Sequence, residues 1–186
     1  MGRQIYPSSN PTGFGINRDT DKLVVTPGIC AGMTAVWCLK MGIGLKLEST
    51  APGVADATAI QFSYELYNKN LAFLTKEFLP SARLRLVEEN VWKGTGRSTA
   101  ASVIQNGNGK VYFWGYTGHA IGVARRDDKY YVFDPDRGLE ELLSTTEFKQ
   151  HIEKDYAKYI KDDGWTLVQV EPDPKQLHLV VPPKGK

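Results

Sequence analysis

Cysteine is scarce in this sequence: 186 residues carry two, both in the stretch TPGICAGMTAVWCLK (26 to 40), as Cys30 and Cys38. If that stretch is helical, the two lie about 12 Å apart along the axis at roughly 1.5 Å per residue. A disulfide bridges Cα atoms no more than about 7 Å apart. The two are therefore not bonded to each other, and the reduced thiols of a cytosolic compartment are the expected state. The same scarcity argues against zinc. A structural zinc takes four ligands, usually in close pairs such as C-x2-4-C, and two cysteines spaced i,i+8 cannot share one ion. No metal or other cofactor is expected.

Charge of one sign is also lacking. Lys and Arg number 23 against 21 Asp and Glu, a balance that gives no reason to expect nucleic acid or a membrane surface as partner. No apolar run approaches the roughly 20 residues of a membrane span, and the opening MGRQIYPSSNPTGFG has no secretory apolar stretch. A soluble chain with no visible signal peptide is expected. Repeats, low-complexity tracts and internal linkers are absent too.

What is present is enough for a core. Apolar residues make up 41% of the chain and aromatics 11%, which predicts one folded domain. Residues 1–27, rich in Pro, Gly, Asn and Ser, read as an irregular N-terminal arm. Residues 28–171 form the main domain, and 172–186 a Pro-rich tail with a possible edge strand at LHLVV.

Within the domain, a helix is expected over 30 to 41, stopped by Gly42. A long amphipathic helix is expected from Val54 to Phe78, because Ile60, Tyr64, Tyr67, Leu71, Leu74 and Phe78 recur every three or four residues; Pro80 ends it. A short helix fits STAASVIQ (98 to 105), capped by Ser98 or Thr99 and followed by Gly107.

The second half changes period. KVYFWGY (110 to 116), HAIGVAR (119 to 125), KYYVFD (129 to 134) and WTLVQV (165 to 170) are short, β-branched or aromatic, and bounded by turn residues. The first three suggest an antiparallel meander. Ser144 and Glu147 form a capping box, and Phe148, Ile152, Tyr156, Tyr159 and Ile160 mark the buried face of the helix that follows. Helices first and an antiparallel sheet afterwards make an α+β domain.

This pattern lets three residues meet. A tight hairpin at RRDDK, centred between Arg126 and Asp127, places His119 directly opposite Asp134, with Cβ atoms about 4.5 to 5.5 Å apart. A turn displaced by one residue leaves them diagonal neighbours. His119 opens one strand and Asp134 closes the next, so both fall at the same sheet edge, where a carboxylate can orient an imidazole. Cys30 begins a helix, whose dipole favours a thiolate there. Such a thiolate is a nucleophile, the imidazole its acid and base, and the backbone N–H groups at the helix start face a developing oxyanion.

Trp37, seven residues after Cys30, falls on nearly the same helix face and is expected to pack it against the sheet. Cys38 reads as a small buried residue. His151 and His178 are isolated and need no function. The aromatic run YFWGYTG (112 to 118) beside His119 lines a cleft or fills the core.

GICAGMTAVW, GHAIGVA and FDPDRG, in that order across residues 28 to 138, resemble the three catalytic blocks of the YopT-type papain-like cysteine peptidases, a family of bacterial effectors and toxins. The resemblance implies a papain-like fold and Cys30, His119 and Asp134 as a catalytic triad. It further implies a thiol protease acting on a protein substrate through a thioester, and secretion or delivery into a target-cell cytoplasm. Glutamine deamidation or another acyl transfer on the same triad, and a non-catalytic binding domain, are the alternatives. One departure stands out. Papain-like enzymes commonly carry an Asn or Gln five or six residues before the nucleophile to complete the oxyanion hole, and here Val25 and Val24 occupy those positions. Thr26, or a residue of the N-terminal arm such as Asn17, is the candidate substitute.

Overall fold

Strict alternation along the strands decides which side chain faces which layer. In Val111–Tyr116, Tyr112, Trp114 and Tyr116 point to one side and Val111 and Phe113 to the other, yet all five are buried. A strand buried on both faces belongs to a sheet covered by helices on both sides, and that is the architecture. The computed structural model describes residues 2–17, 22–26, 28–66, 74–94, 101, 103–105, 107–116, 118–156 and 165–177.

In chain order the elements are β1 (Arg3–Pro7), β2 (Gly13–Asn17), β3 (Lys22–Thr26), α1 (Cys30–Gly42), α2 (Val54–Leu66), β4 (Leu84–Gly94), β5 (Val111–Tyr116), β6 (His119–Arg126), β7 (Lys129–Asp134), β8 (Gly138–Leu142), α3 (Thr145–Asp155) and β9 (Trp165–Pro172). Seven strands form one antiparallel sheet in the order β1-β8-β7-β6-β5-β9-β4, while β2 and β3 pair as a separate hairpin. The α+β class and the expected meander are both present. β5, β6 and β7 follow one another, and β8 extends the run.

The arm is not irregular as expected. Its three strands were hard to see because each is short and interrupted by Gly, Pro or charge. RQIYP ends in a proline, which is tolerated because β1 is an edge strand. β4 and β8, both rich in Arg or Glu, are likewise strands that the sequence pattern does not announce.

On one face α1 lies across the sheet, with α2 against it. Trp37 is fully buried and stacks on Phe133, ring centroids 5.7 Å apart and 12° from parallel. Gly122 makes room for that indole, since a Cβ there would overlap the ring. Gly32 similarly brings α1 against the carbonyl of Ala57 on α2. α2 is described only to Leu66, and helical backbone resumes at Leu74–Phe78 as a wide, π-type turn running into Leu79–Ser81. Residues 67–73 of the expected long helix, including Tyr67 and Leu71, lie outside the described residues.

On the other face α3 buries Phe148 and Ile152, followed by Tyr156 at its C-terminal end, against Tyr130, Val132 and Trp114. Ser144 caps α3 by accepting from the Glu147 N–H at 3.1 Å, and Glu147 Oε2 accepts from Leu143 N–H at 2.8 Å. The reciprocal bond thus lands one residue before the usual capping-box position. Tyr159, Ile160, His178 and most of the tail lie outside the described residues, as do the cap residues Ser98 and Thr99. Ala101 and 103–105 are helical and Gly107 follows them. Among the described residues, no helix is long and apolar enough to cross a membrane.

Candidate active site

Cys30 is the first residue of α1 and is partly exposed, whereas Cys38, two turns further on, is fully buried; both thiols are free. The helix start is held in place from two directions. Ile29 N–H donates to Asn10 Oδ1 at 2.7 Å, and Gly32 N–H donates to the buried Gln61 Oε1 at 2.9 Å. Met33 N–H is satisfied by the Ile29 carbonyl at 2.9 Å. The N–H groups of Cys30 and Ala31, which as first-turn donors have no intrahelical acceptor, have no acceptor among the described residues.

One turn after Cys30, the buried Thr34 hydroxyl donates to the Ala120 carbonyl at 3.0 Å. That bond ties α1 to β6 immediately beside His119. Gly118, with φ +77°, turns the chain through a left-handed conformation into β6, so His119 occupies the strand's first position.

The hairpin register differs from the sequence expectation by one residue. Arg126 pairs with Lys129 and Gly122 with Phe133, so the turn is centred between Asp127 and Asp128, both in the left-handed region at φ 52° and 60°. Two left-handed residues make the two-residue turn that matches strand twist, and aspartate tolerates that conformation. His119 is therefore diagonal to Asp134 rather than opposite it. The imidazole spans the extra distance, and His119 Nε2 lies 2.9 Å from Asp134 Oδ1. With Nε2 taken by Asp134, Nδ1 is left for the side-chain hydrogen bond between His119 and Cys30. The structure thus brings together all three residues that the sequence singled out.

Asp134 is buried and approached from several sides. Asp136 N–H donates to its Oδ1 at 2.9 Å and the Tyr156 hydroxyl to its Oδ2 at 3.0 Å, while Arg137 Nε lies 3.9 Å from Oδ2. Arg137 also sits over the Tyr156 ring, 5.7 Å from its centroid, and pairs with Asp155 at 3.3 Å. Tyr116 packs against the His119 ring at 5.6 Å. The run 112 to 116 is core, with Tyr116 its contact to the site.

These contacts set the charges. Burial alone works against a charged imidazole at His119, but the hydrogen bonds to Asp134 and Cys30, and their charges, outweigh it and push its pKa up to about 10. Burial would raise the Asp134 carboxyl; the His119 hydrogen bond and charge, then the Asp136 N–H and the Tyr156 hydroxyl, hold it below the ordinary 3.8. Tyr156 is held well above its ordinary range by burial and by the Asp134 charge, so it stays a phenol and donates. Burial also pushes the Cys38 thiol up.

No protein-family model matches this sequence, and no curated protein matches it. Among solved structures, the Pseudomonas avirulence protein AvrPphB matches with a TM-score of 0.59 and 17% identity, over 77% of this chain and 91% of that one. The chain has the papain-like fold of AvrPphB. A cysteine protease-like domain of the Photorhabdus asymbiotica toxin PaTox also matches, with a TM-score of 0.43 and 12% identity over 88% of this chain and 54% of that one.

Among the described residues, one group of donors could hold a metal: His119, Asp134 and Asp136, with ligand atoms within 4.8 Å of one another. Its use would compete with the 2.9 Å His119–Asp134 bond that orients the ring. Sequence reasoning missed Tyr156 as a partner of Asp134. It read the residue only as apolar helix face, and the hydroxyl's target lies 22 positions away. Asn10 was missed for a similar reason, being 19 positions from Ile29 in an arm that read as irregular. Asn17, one example of an arm residue considered from sequence, pairs with Lys22 in the β2–β3 hairpin.

Proposed function

We propose that this chain is a cysteine peptidase that cleaves a protein substrate with Cys30 as nucleophile, His119 as acid and base, and Asp134 as the group that orients the imidazole. The observation that carries this is the His119 ring, hydrogen-bonded on one side to Cys30 and on the other to a buried Asp134. A structural histidine needs one partner; this one joins a partly exposed thiol to a carboxylate with every feature of an orienting group.

The chemistry follows from the charges. With its pKa pushed up to about 10, His119 carries a proton at neutral pH beside the Cys30 sulfur, and a thiolate is the form of that sulfur that attacks a carbonyl carbon. The sulfur–carbon bond forms, the carbonyl electron pair moves onto oxygen, and that oxygen meets the N–H groups at the start of α1. As the tetrahedral intermediate collapses, His119 donates its proton to the leaving amine. The ring then takes a proton from water, whose oxygen attacks the thioester and frees the acid product. Asp134 holds Nε2–H throughout, so Nδ1 stays aimed at the sulfur.

The likeness of fold to an avirulence protein supports a role as a bacterial effector or toxin acting inside a target cell. The test is intact-mass spectrometry of a target-cell lysate treated with wild-type protein and with Cys30→Ala. New termini that depend on Cys30 support the peptidase. A gain of about one dalton without cleavage moves the reading to deamidation, and no Cys30-dependent change in any protein overturns it.

A further inference from the structure

The position where a papain-like site wants a side-chain amide is held by Val24 and Val25, and the arm supplies one from elsewhere. We propose that Asn10, carried on the N-terminal arm, is the side-chain donor of the oxyanion hole, acting beside the Cys30 N–H. This rests on the thiol-hydrolase reading of the site.

Three observations place Asn10 there. Its Oδ1 accepts the Ile29 N–H at 2.7 Å, one residue before the nucleophile. The whole amide lies flat against Gly28: a Cβ at that position would overlap Nδ2 and come within 2.7 Å of Cγ and 2.8 Å of Oδ1. With Oδ1 committed to Ile29, the amide orientation is fixed, and Nδ2 has no acceptor among the described residues. Cys30 N–H and Asn10 Nδ2–H are therefore two unspent donors, one on the nucleophile itself and one on the amide held against the two residues that precede it. When that sulfur bonds to a carbonyl carbon and the π pair moves to oxygen, both donate to it. When the pair returns and the leaving group departs with the His119 proton, both are released.

The arm's other anchors explain how a donor twenty residues upstream is held. Gln4 Nε2 and Ser8 N–H both donate to the Arg137 carbonyl, at 3.0 and 3.2 Å. Pro7 pairs with Gly138, whose φ of +117° and lack of a side chain let the backbone of Tyr6 and Pro7 lie directly on it. Arg137 belongs to the turn that follows Asp134. The segment from Ser8 to Asn10 thus runs from the Asp134 turn to the Cys30 helix and spans the site as a strap.

Two reactions at Cys30 separate this role from a structural one. Alkylation by iodoacetamide builds no oxyanion, whereas acylation by p-nitrophenyl acetate does. Asn10→Asp keeps the shape and the acceptor for Ile29 while removing both N–H donors; Asn10→Ala removes everything. The expected result is a loss of acylation rate of about 10²- to 10³-fold in both variants, with alkylation of Cys30 within about threefold of wild type. Wild-type acylation in Asn10→Asp overturns the proposal. An equal loss of alkylation also overturns it, because Asn10 would then only hold the helix start. If wild-type Cys30 alkylates no faster than free cysteine, the thiol-hydrolase reading fails first, and this inference with it. Asn10→Asp decides if Asn10→Ala does not fold.

Discussion

Tyr156, at the C-terminal end of α3, donates its hydroxyl hydrogen to Oδ2 of Asp134 at 3.0 Å, and both groups are buried. The bond couples the helix on one face of the sheet to the group that orients His119. Tyr156→Phe leaves a buried carboxylate oxygen one donor short, and a hydrogen bond to a charged group is worth about 1.5–3 kcal/mol. The expected loss of stability is of that size by urea denaturation at pH 7. The turnover number should fall while KM holds, because the imidazole is less well oriented and the substrate contacts are untouched.

His119 also predicts a pH dependence of stability. Its folded pKa of about 10 lies above the ordinary 6.5, so its contribution is fully present below pH 6.5 and is lost as pH rises from there through 10. Asp134 has the opposite sign: depressed below 3.8, it contributes above that value and loses the contribution as pH falls through the depressed folded value. Urea midpoints should therefore decline between pH 6.5 and 10 in wild type and flatten over that range in Asp134→Asn, which removes the carboxylate that raises the His119 pKa. An imidazole NMR titration of His119 with a midpoint near the ordinary 6.5 in wild type would contradict the assigned contacts.

The two thiols should differ in the native protein. Cys30 is partly exposed and faces His119, while Cys38 is fully buried with its sulfur 3.6 Å from the Tyr112 carbonyl. Iodoacetamide followed by peptide mapping should label Cys30 alone until the protein unfolds. Cys38→Ala should keep both labelling and activity, and Cys30→Ala should stay folded and lose both.

Helix α1 is pressed onto the sheet by Trp37, stacked on Phe133 over the bare backbone of Gly122. Trp37→Ala should cost about 3–5 kcal/mol. Gly122→Ala drives a methyl into the indole and should cost about 1–3 kcal/mol. Both are checked by thermal or urea unfolding, and both should lower activity by moving Cys30 relative to His119.

Gly138 predicts a local effect instead. With φ at +117° and the Tyr6 and Pro7 backbone lying on it, Gly138→Ala should peel β1 from β8 while leaving the central strands paired. Limited proteolysis should then cut within residues 1–12 of the variant faster than in wild type, with near-UV circular dichroism of the core unchanged.

How far the sequence reaches is plain from these residues. It showed the central strands because they are buried on both faces and read as apolar runs bounded by turns. It missed β1, β4 and β8, where charge or proline interrupts the pattern and pairing comes from the sheet's geometry rather than local propensity. The candidate site was legible to the extent that it depends on strand ends and a helix start: Cys30 opens α1, His119 opens β6 and Asp134 closes β7.

By itself, then, the sequence determined the α+β class, the separation of its two cysteines and the sheet edge shared by His119 and Asp134. Each follows from short-range periodicity and turn chemistry. Tertiary structure alone decided the hairpin's one-residue displacement, the Tyr156 bond to Asp134 and the arrival of Asn10 at the Ile29 N–H. A turn's centre depends on which residues can take a positive φ within the twisted sheet. The two polar contacts join groups 22 and 19 positions apart, and the packing of layers brings such partners together with no local spacing to announce them.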